Sequence, residues 1–289
     1  MTDTVLGEWL RLREAADHAA RAGVAVRAIA RHLPADGEVR IVDLGSGAGS
    51  NLRYLLTRLP PRQQWLLVDR SAALLREALA RTRVWAHARG LDVQDRDGGL
   101  VLRSDAIECG VHVRQQDLHH PAADLFAGRH LVTASALLDL VSARWLRAVA
   151  AECRRAGAAA LFAITYDGRS VCDPADAADE LVRALFNAHQ ERDKGLGGPA
   201  EGPRAADLAE ECFSAAGYRV VRARSDWMLG RDAAGMQRVL IGGWKRAAYE
   251  TAPHLGAQLE AWHARRVAHV DCGRSRVTVG HWDLAALPV

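Results

Sequence analysis

Over residues 8–32 the apolar side chains Trp9, Leu10, Leu12, Ala16, Ala20, Val24, Val26 and Ile29 recur at roughly helical spacing, and Pro34 and Gly37 then break the run. This predicts one or two helices. Residues 39–44 form a short apolar strand that leads straight into Gly45, Gly47 and Gly49, and helical periodicity resumes over 51–59, up to Pro60 and Pro61. Residues 65–69 are a second buried strand, and Ser71 stands where an N-cap opens a helix over 72–83. Between 91 and 113 the period falls to two, with Asp97, Gly98 and Gly99 as a turn; this predicts a hairpin ahead of a third parallel strand. Residues 130–137 and 158–165 are two further strands, separated by a helix over 142–156 that stops at Gly157.

Beyond residue 167 the pattern loosens. A polar helix over 176–194 precedes a glycine- and proline-rich stretch, 195–203, which is a candidate mobile lid. Then come a helix over 205–216, a strand over 218–223, a helical pair across 233–270 and a last strand over 276–279. Five parallel-type strands alternating with helices, with two more at one edge, predict an α/β fold. It is a doubly wound, mostly parallel seven-stranded sheet with helices on both faces. An N-terminal helical cap, residues 1–36, precedes the core over 37–170, and residues 171–289 add C-terminal helical insertions that cover the substrate and the last two strands. Ligands of such sheets bind beyond the carboxyl ends of the strands, where strand order reverses.

Composition narrows the function classes. The 289 residues carry 38 basic and 35 acidic groups, mixed along the chain, which is no electrostatic footprint for nucleic acid. No apolar run reaches the length of a membrane span. The five cysteines are widely separated and form no C-x-x-C pair, which fits a reducing compartment and a cytoplasmic protein. The adjacent His119 and His120 should point apart, and no metal site is expected.

The chemistry concentrates in the first loop. Asp43, Gly45, Gly47 and Gly49 form D-x-G-x-G-x-G between a strand and a helix. A dinucleotide loop would want glycine at 50, where Ser50 stands, so a nicotinamide cofactor loses ground. An acid ahead of backbone N–H donors suits a ligand that bears an amine, a carboxylate and a ribose. This loop resembles motif I of class I S-adenosylmethionine-dependent methyltransferases, small-molecule type, and the likeness extends over residues 39–167. There it implies that Asp43, Gly45, Ser46, Gly47, Gly49 and Asn51 surround the cofactor's amino-acid end. It further implies that Asp69, with Arg70, holds the ribose hydroxyls, a role open to a carboxylate because it accepts two hydrogen bonds side by side. Asp117 and Leu118 would meet the adenine, and Ser135 would lie on the path toward the reacting centre.

Transfer of an activated methyl is governed by positioning, and a general base is needed only for a protonated, weakly acidic acceptor. Three groups near the expected acceptor qualify as catalytic candidates: Asp139 after the fourth strand, Tyr166 at the end of the fifth, and His189 in the polar helix. Each has an ordinary structural alternative, namely a helix N-terminal charge, a core-closing aromatic and a solvated face. Where DNA amine methyltransferases carry an Asn/Asp-Pro-Pro-aromatic segment, this chain has Ser135 to Asp139 without proline. A small-molecule acceptor is therefore favoured, with no nucleic acid, no membrane and a possible homodimer. Trp227, Trp244, Tyr249, Trp262 and Trp282 are available to line an enclosed pocket. The competing readings are an enzyme that consumes the same cofactor without methyl transfer, releasing methylthioadenosine, a nucleotide-dependent oxidoreductase, and a non-catalytic cofactor-binding module.

Overall fold

The computed structural model describes residues 3–289; the first two residues of the amino-terminal cap lie outside the described residues. The chain opens with α1 (Asp3–Ala20) and α2 (Gly23–His32), then β1 (Val39–Leu44), α3 (Ser50–Leu55), β2 (Arg62–Asp69) and α4 (Ala72–His87). Next come β3 (Asp92–Arg96), β4 (Gly99–Ser104), β5 (Ile107–Gln115), β6 (Leu131–Ser135), α5 (Ala143–Ala156) and β7 (Ala159–Asp173). The last third holds α6 (Asp179–Gln190), α7 (Ala205–Ala215), β8 (Tyr218–Arg224), β9 (Trp227–Leu229), α8 (Ala234–Thr251), α9 (Gly256–Asp271) and β10 (Arg276–Pro288).

All ten strands join one sheet in the order β3-β4-β5-β2-β1-β6-β7-β10-β8, with β9 on β10. The five strands β5, β2, β1, β6 and β7 are parallel, as the alternation of apolar runs predicts. The expected seven strands become ten for two local reasons. The hairpin does not stand apart from the sheet: β4 runs antiparallel along the open edge of β5, Leu100 opposite Val111, and carries β3 with it. In addition, β10 is far longer than residues 276–279, so its outer edge is shared between β8 and the short β9. The division at residue 170 also falls inside β7, which runs on to Asp173.

Side chains alternate across the sheet as strand geometry requires. Ile41 and Leu67 face α2, α3 and α4 in one buried layer, while Val42 and Val68 face α5 and α7 in another. A third cluster, with Trp227, Trp244 and Trp262 at its centre, lies under α6, α8 and α9. Local caps follow the sequence: the Ser71 hydroxyl accepts the Leu74 N–H, the Ser142 hydroxyl accepts the Trp145 N–H, and Gly157 ends α5 in the left-handed region. Among the described residues no helix is long and apolar enough to cross a membrane.

Candidate active site

A cavity of about 1610 Å³ opens beyond the carboxyl ends of β1, β2, β6 and β7. Gly45, Gly47, Asp69, Arg70, Asp117 and Leu118 line one side of it. Asp69 is held from both ends: one carboxylate oxygen accepts the Gly47 N–H and the other the Ser71 N–H, each at 2.9 Å. Each oxygen keeps a further lone pair. Gly47 has φ +51, and a Cβ there would stand 2.9 Å from Leu10 Cδ1. Helix α1 therefore lies directly over the loop.

Five residues expected at the cofactor are not in the cavity wall, and each has a local cause. Asn51 faces inward, donating to Asp43 Oδ1 at 2.9 Å and Thr133 Oγ1 at 3.0 Å and accepting from Arg21 Nη1 at 2.8 Å. Both hydrogens of its amide are therefore spent inside the protein. Asp43 sits behind the loop in the same network, and burial pushes its carboxyl up to about 7, against the pull of Asn51 and Arg21. Its second oxygen is buried without a partner, as is Arg21 Nη2. Gly49 is a packing glycine: at φ +78, a Cβ would come within 3.1 Å of Ala78 Cβ on α4. The Ser46 N–H is spent on Val68 O. Ser135 is inside the β6–β7 ladder opposite Ala163, and the wall position falls to Ala136, which has φ +54.

The three catalytic candidates all line the far side of the cavity. Asp139 is buried, and desolvation raises its carboxyl to about 6; its own N–H and that of Tyr166, together with Arg13 and Lys194, oppose the rise. It is the candidate base with the right acidity near neutral pH. The other two have partners that redirect them. The Tyr166 hydroxyl donates to Asn187 Oδ1 at 2.8 Å, and burial pushes the phenol well above its ordinary value, so it stays protonated. His189 Nε2 is 2.9 Å from Glu250 Oε2, and its Nδ1 is 3.4 Å from Lys194 Nζ. The contact to Glu250 links α6 to α8, and the contact to Lys194 ties the ring to the segment that follows α6.

Of the aromatics, Trp227, Trp244 and Tyr249 line the cavity, whereas Trp262 and Trp282 do not. Trp262 is buried against Asp179, and Trp282 lies between the Arg222 and Arg224 guanidinium groups. His281 lines the cavity and was not foreseen. Its ring lies 4.5 Å from that of Trp227, and burial lowers it to about 3, so it is neutral. No local signal singled it out, because Arg276, Thr278 and Asp283 are polar along the same strand and the place of His281 depends on β10 continuing past Gly280. Arg13 completes this wall, paired with Asp17 and standing over Trp227 at 5.1 Å. The stretch 195–203 is no free flap, because Leu196 O accepts the Ser142 N–H and the Glu201 N–H donates to Val141 O. Residues of α8, among them Val239, Trp244 and Tyr249, line the cavity. His119 and His120 lie in a bend, and their rings meet edge-on at 4.3 Å instead of pointing apart.

No family model matches the chain, and no curated protein matches it. Its fold is similar to that of a cyclopropane synthase from Mycobacterium tuberculosis, 11% identical over 91% of this chain and 83% of that one, at a TM-score of 0.46. It is also similar to the YcgJ protein of Bacillus subtilis, at 14% identity, 93% and 100% coverage and a TM-score of 0.47. A third similar structure is an S-adenosylmethionine-dependent methyltransferase from Geobacter sulfurreducens in complex with S-adenosyl-L-homocysteine, at 14% identity, 96% and 98% coverage and a TM-score of 0.43.

Proposed function

We propose that this chain transfers a methyl group from S-adenosylmethionine to a small organic acceptor with an oxygen, nitrogen or carbon nucleophile. The observation that carries the reading is that one cavity has Asp69, gripped by two loop N–H groups, in one wall and the buried Asp139 in the other. The residues present fit the cofactor. Asp69 retains free lone pairs for two ribose hydroxyls, and the Gly45–Gly47 loop offers a wall without side chains. Asp117 and Leu118 line the same cavity and would meet the adenine. When bound, S-adenosylmethionine supplies a methyl already activated by the sulfonium.

The rest of the work falls to the protein. Asp139, in its ionised form, takes at a carboxylate oxygen the proton that the acceptor's heteroatom loses. Tyr166, Trp227 and His281 exclude water around it. Helices α8 and α9 cover the mouth, and the link from His189 to Glu250 ties α8 to α6. The cavity is larger than the roughly 300–1,000 Å³ of a single drug-sized site, leaving space for an acceptor beside a nucleoside-sized cofactor.

The test is turnover of purified protein with S-adenosylmethionine and a panel of small hydroxy, amino and activated-carbon acceptors, followed by mass spectrometry. Release of S-adenosylhomocysteine with a methylated acceptor supports the proposal, whereas methylthioadenosine would favour attack within the cofactor itself. Failure of S-adenosylhomocysteine to bind in calorimetry would sink it.

A further inference from the structure

The acceptor side of the cavity combines aromatic walls with one ammonium that has no carboxylate of its own. Trp9, Trp227, Trp244, Tyr166 and Phe186 supply ring faces and edges there. The other buried cation in this wall, Arg13, is already neutralised in a two-pronged pair with Asp17. Lys245, at the rim, is paired with Glu260. Lys194 differs. It lines the cavity and is half-buried, and among the described residues it forms no ion pair. Its recorded contacts are the His189 carbonyl at 2.9 Å and His189 Nδ1 at 3.4 Å, both uncharged acceptors when the ring is neutral. Burial and Arg192 lower its affinity for a proton, while Glu250 and Asp139, neither of which pairs with it directly, offset this in part. A half-buried ammonium without a directly paired carboxylate gains from an anion brought within hydrogen-bond reach. The commonplace role for such a lysine is to cap the last turn of its helix. That role uses the bond to the His189 carbonyl and leaves further donors of the three.

We propose that the acceptor is an aromatic anion: a planar ring system that stacks among the tryptophans and bears a carboxylate that pairs with Lys194. This rests on the methyltransferase reading for the word acceptor. The recognition itself is a binding property that is measured without turnover. A planar aromatic suits rings already in edge-on contact, such as Trp9 with Trp227 at 6.2 Å and Tyr166 with Phe186 at 5.5 Å. The carboxylate is the binding handle; the site of methylation is a different atom of the same molecule.

The probe is 2-naphthoate, with 2-naphthylmethanol as its neutral counterpart, titrated into the full-length protein by calorimetry. The wild-type chain should bind the naphthoate at least roughly tenfold more tightly, the scale of one hydrogen bond to a charged group. Lys194→Met should abolish that preference while leaving the naphthylmethanol affinity unchanged, and Lys194→Arg should retain most of it. Equal binding of the two probes by the wild type, or no binding of either, would overturn the proposal. So would a Lys194→Met chain that keeps its preference. A Lys194→Met chain that loses both probes is decided by thermal unfolding and by Lys194→Arg. If the charge-retaining variant also fails, the lysine is structural and the proposal falls. S-adenosylhomocysteine titrated into the same proteins reports on the cofactor site separately, so loss of the methyltransferase reading is not confused with loss of the anion site.

Discussion

The Asp283 carboxylate accepts the backbone N–H of Ile164 at 2.8 Å, and Ile164 sits at φ +52 in the cavity wall. A β-branched residue in the left-handed region is strained by about 1–3 kcal/mol. The strain arises where β7 bulges against β10: Thr165 pairs with Trp282 and Phe162 with Leu284, so two residues of β7 oppose Asp283 alone. The bulge removes the Ile164 N–H from the ladder, and the side chain of the opposing residue replaces the missing partner. The other Asp283 oxygen accepts from Ala22 N and Arg21 Nε. Arg21 in turn reaches Asn51, at the start of the helix that follows the glycine loop. The cavity wall at Ile164 and the back of the glycine loop thus share one buried polar network.

Asp283→Ala should therefore be among the most damaging single changes in the chain. It leaves a buried guanidinium without its carboxylate and two backbone N–H groups without acceptors, which costs roughly 3–5 kcal/mol. Urea unfolding checks this. A loss below about 1 kcal/mol would mean that water replaces the carboxylate and that the network holds nothing in place.

Asp69→Ala should weaken S-adenosylhomocysteine binding by roughly 1.5–3 kcal/mol, the range for hydrogen bonds to a charged group. Calorimetry of the variant, with thermal unfolding as a control for the lost contacts to Gly47 and Ser71, tests the ribose assignment. Unchanged affinity would discard it.

The parallel core was readable from sequence because apolar runs, the glycine loop and the caps at Ser71, Ser142 and Gly157 all depend on neighbouring residues. The place of Asp69 in the cavity wall was readable for the same reason: it ends the strand next to the loop. That Asn51 and Asp43 turn away from the cavity was not legible, because motif spacing reports position along the chain but not which way a side chain turns. Their direction is set by Arg21 and Thr133, respectively 30 and 82 residues away from Asn51. His281 was missed because its place in the wall depends on β10 continuing past Gly280. That continuation rests on antiparallel pairing with β7 and β8, a non-local interaction that no window of sequence contains.

The loop glycines should separate by readout. Gly47→Ala places a Cβ 2.9 Å from Leu10 Cδ1 and forces alanine to φ +51, at a conformational cost of about 1–2 kcal/mol. Gly47 and Leu10 both line the cavity, so a displaced Leu10 tip changes its wall, and cofactor affinity should fall along with stability. Gly49→Ala meets Ala78 Cβ, away from the cavity, and should cost stability of the same order with a much smaller change in affinity. Equal affinity losses from the two variants would contradict the separation of a ligand glycine from a packing glycine.

Asp139 gives a pH dependence with a definite sign. Its carboxyl is raised from an ordinary 3.8 to about 6, chiefly by burial. As the base it must be ionised, so kcat/KM should rise about tenfold per pH unit below 6 and level off above. Asp139→Asn should be nearly inactive, with no such rise. Stability runs the other way. Because the folded-state value lies above the unfolded one, the favourable contribution of the protonated carboxyl is complete below pH 3.8 and is lost as pH increases through about 6. The loss is on the order of 3 kcal/mol. An asparagine is neutral throughout. The variant should therefore match the wild type near pH 4 and exceed it in stability at pH 8. Taking the difference between the two proteins removes the parallel contribution of Asp43, raised to about 7 and common to both. A variant that is inactive and also less stable at pH 8 would make Asp139 a structural acceptor for its neighbouring N–H groups, and the base would have to be sought elsewhere in the cavity.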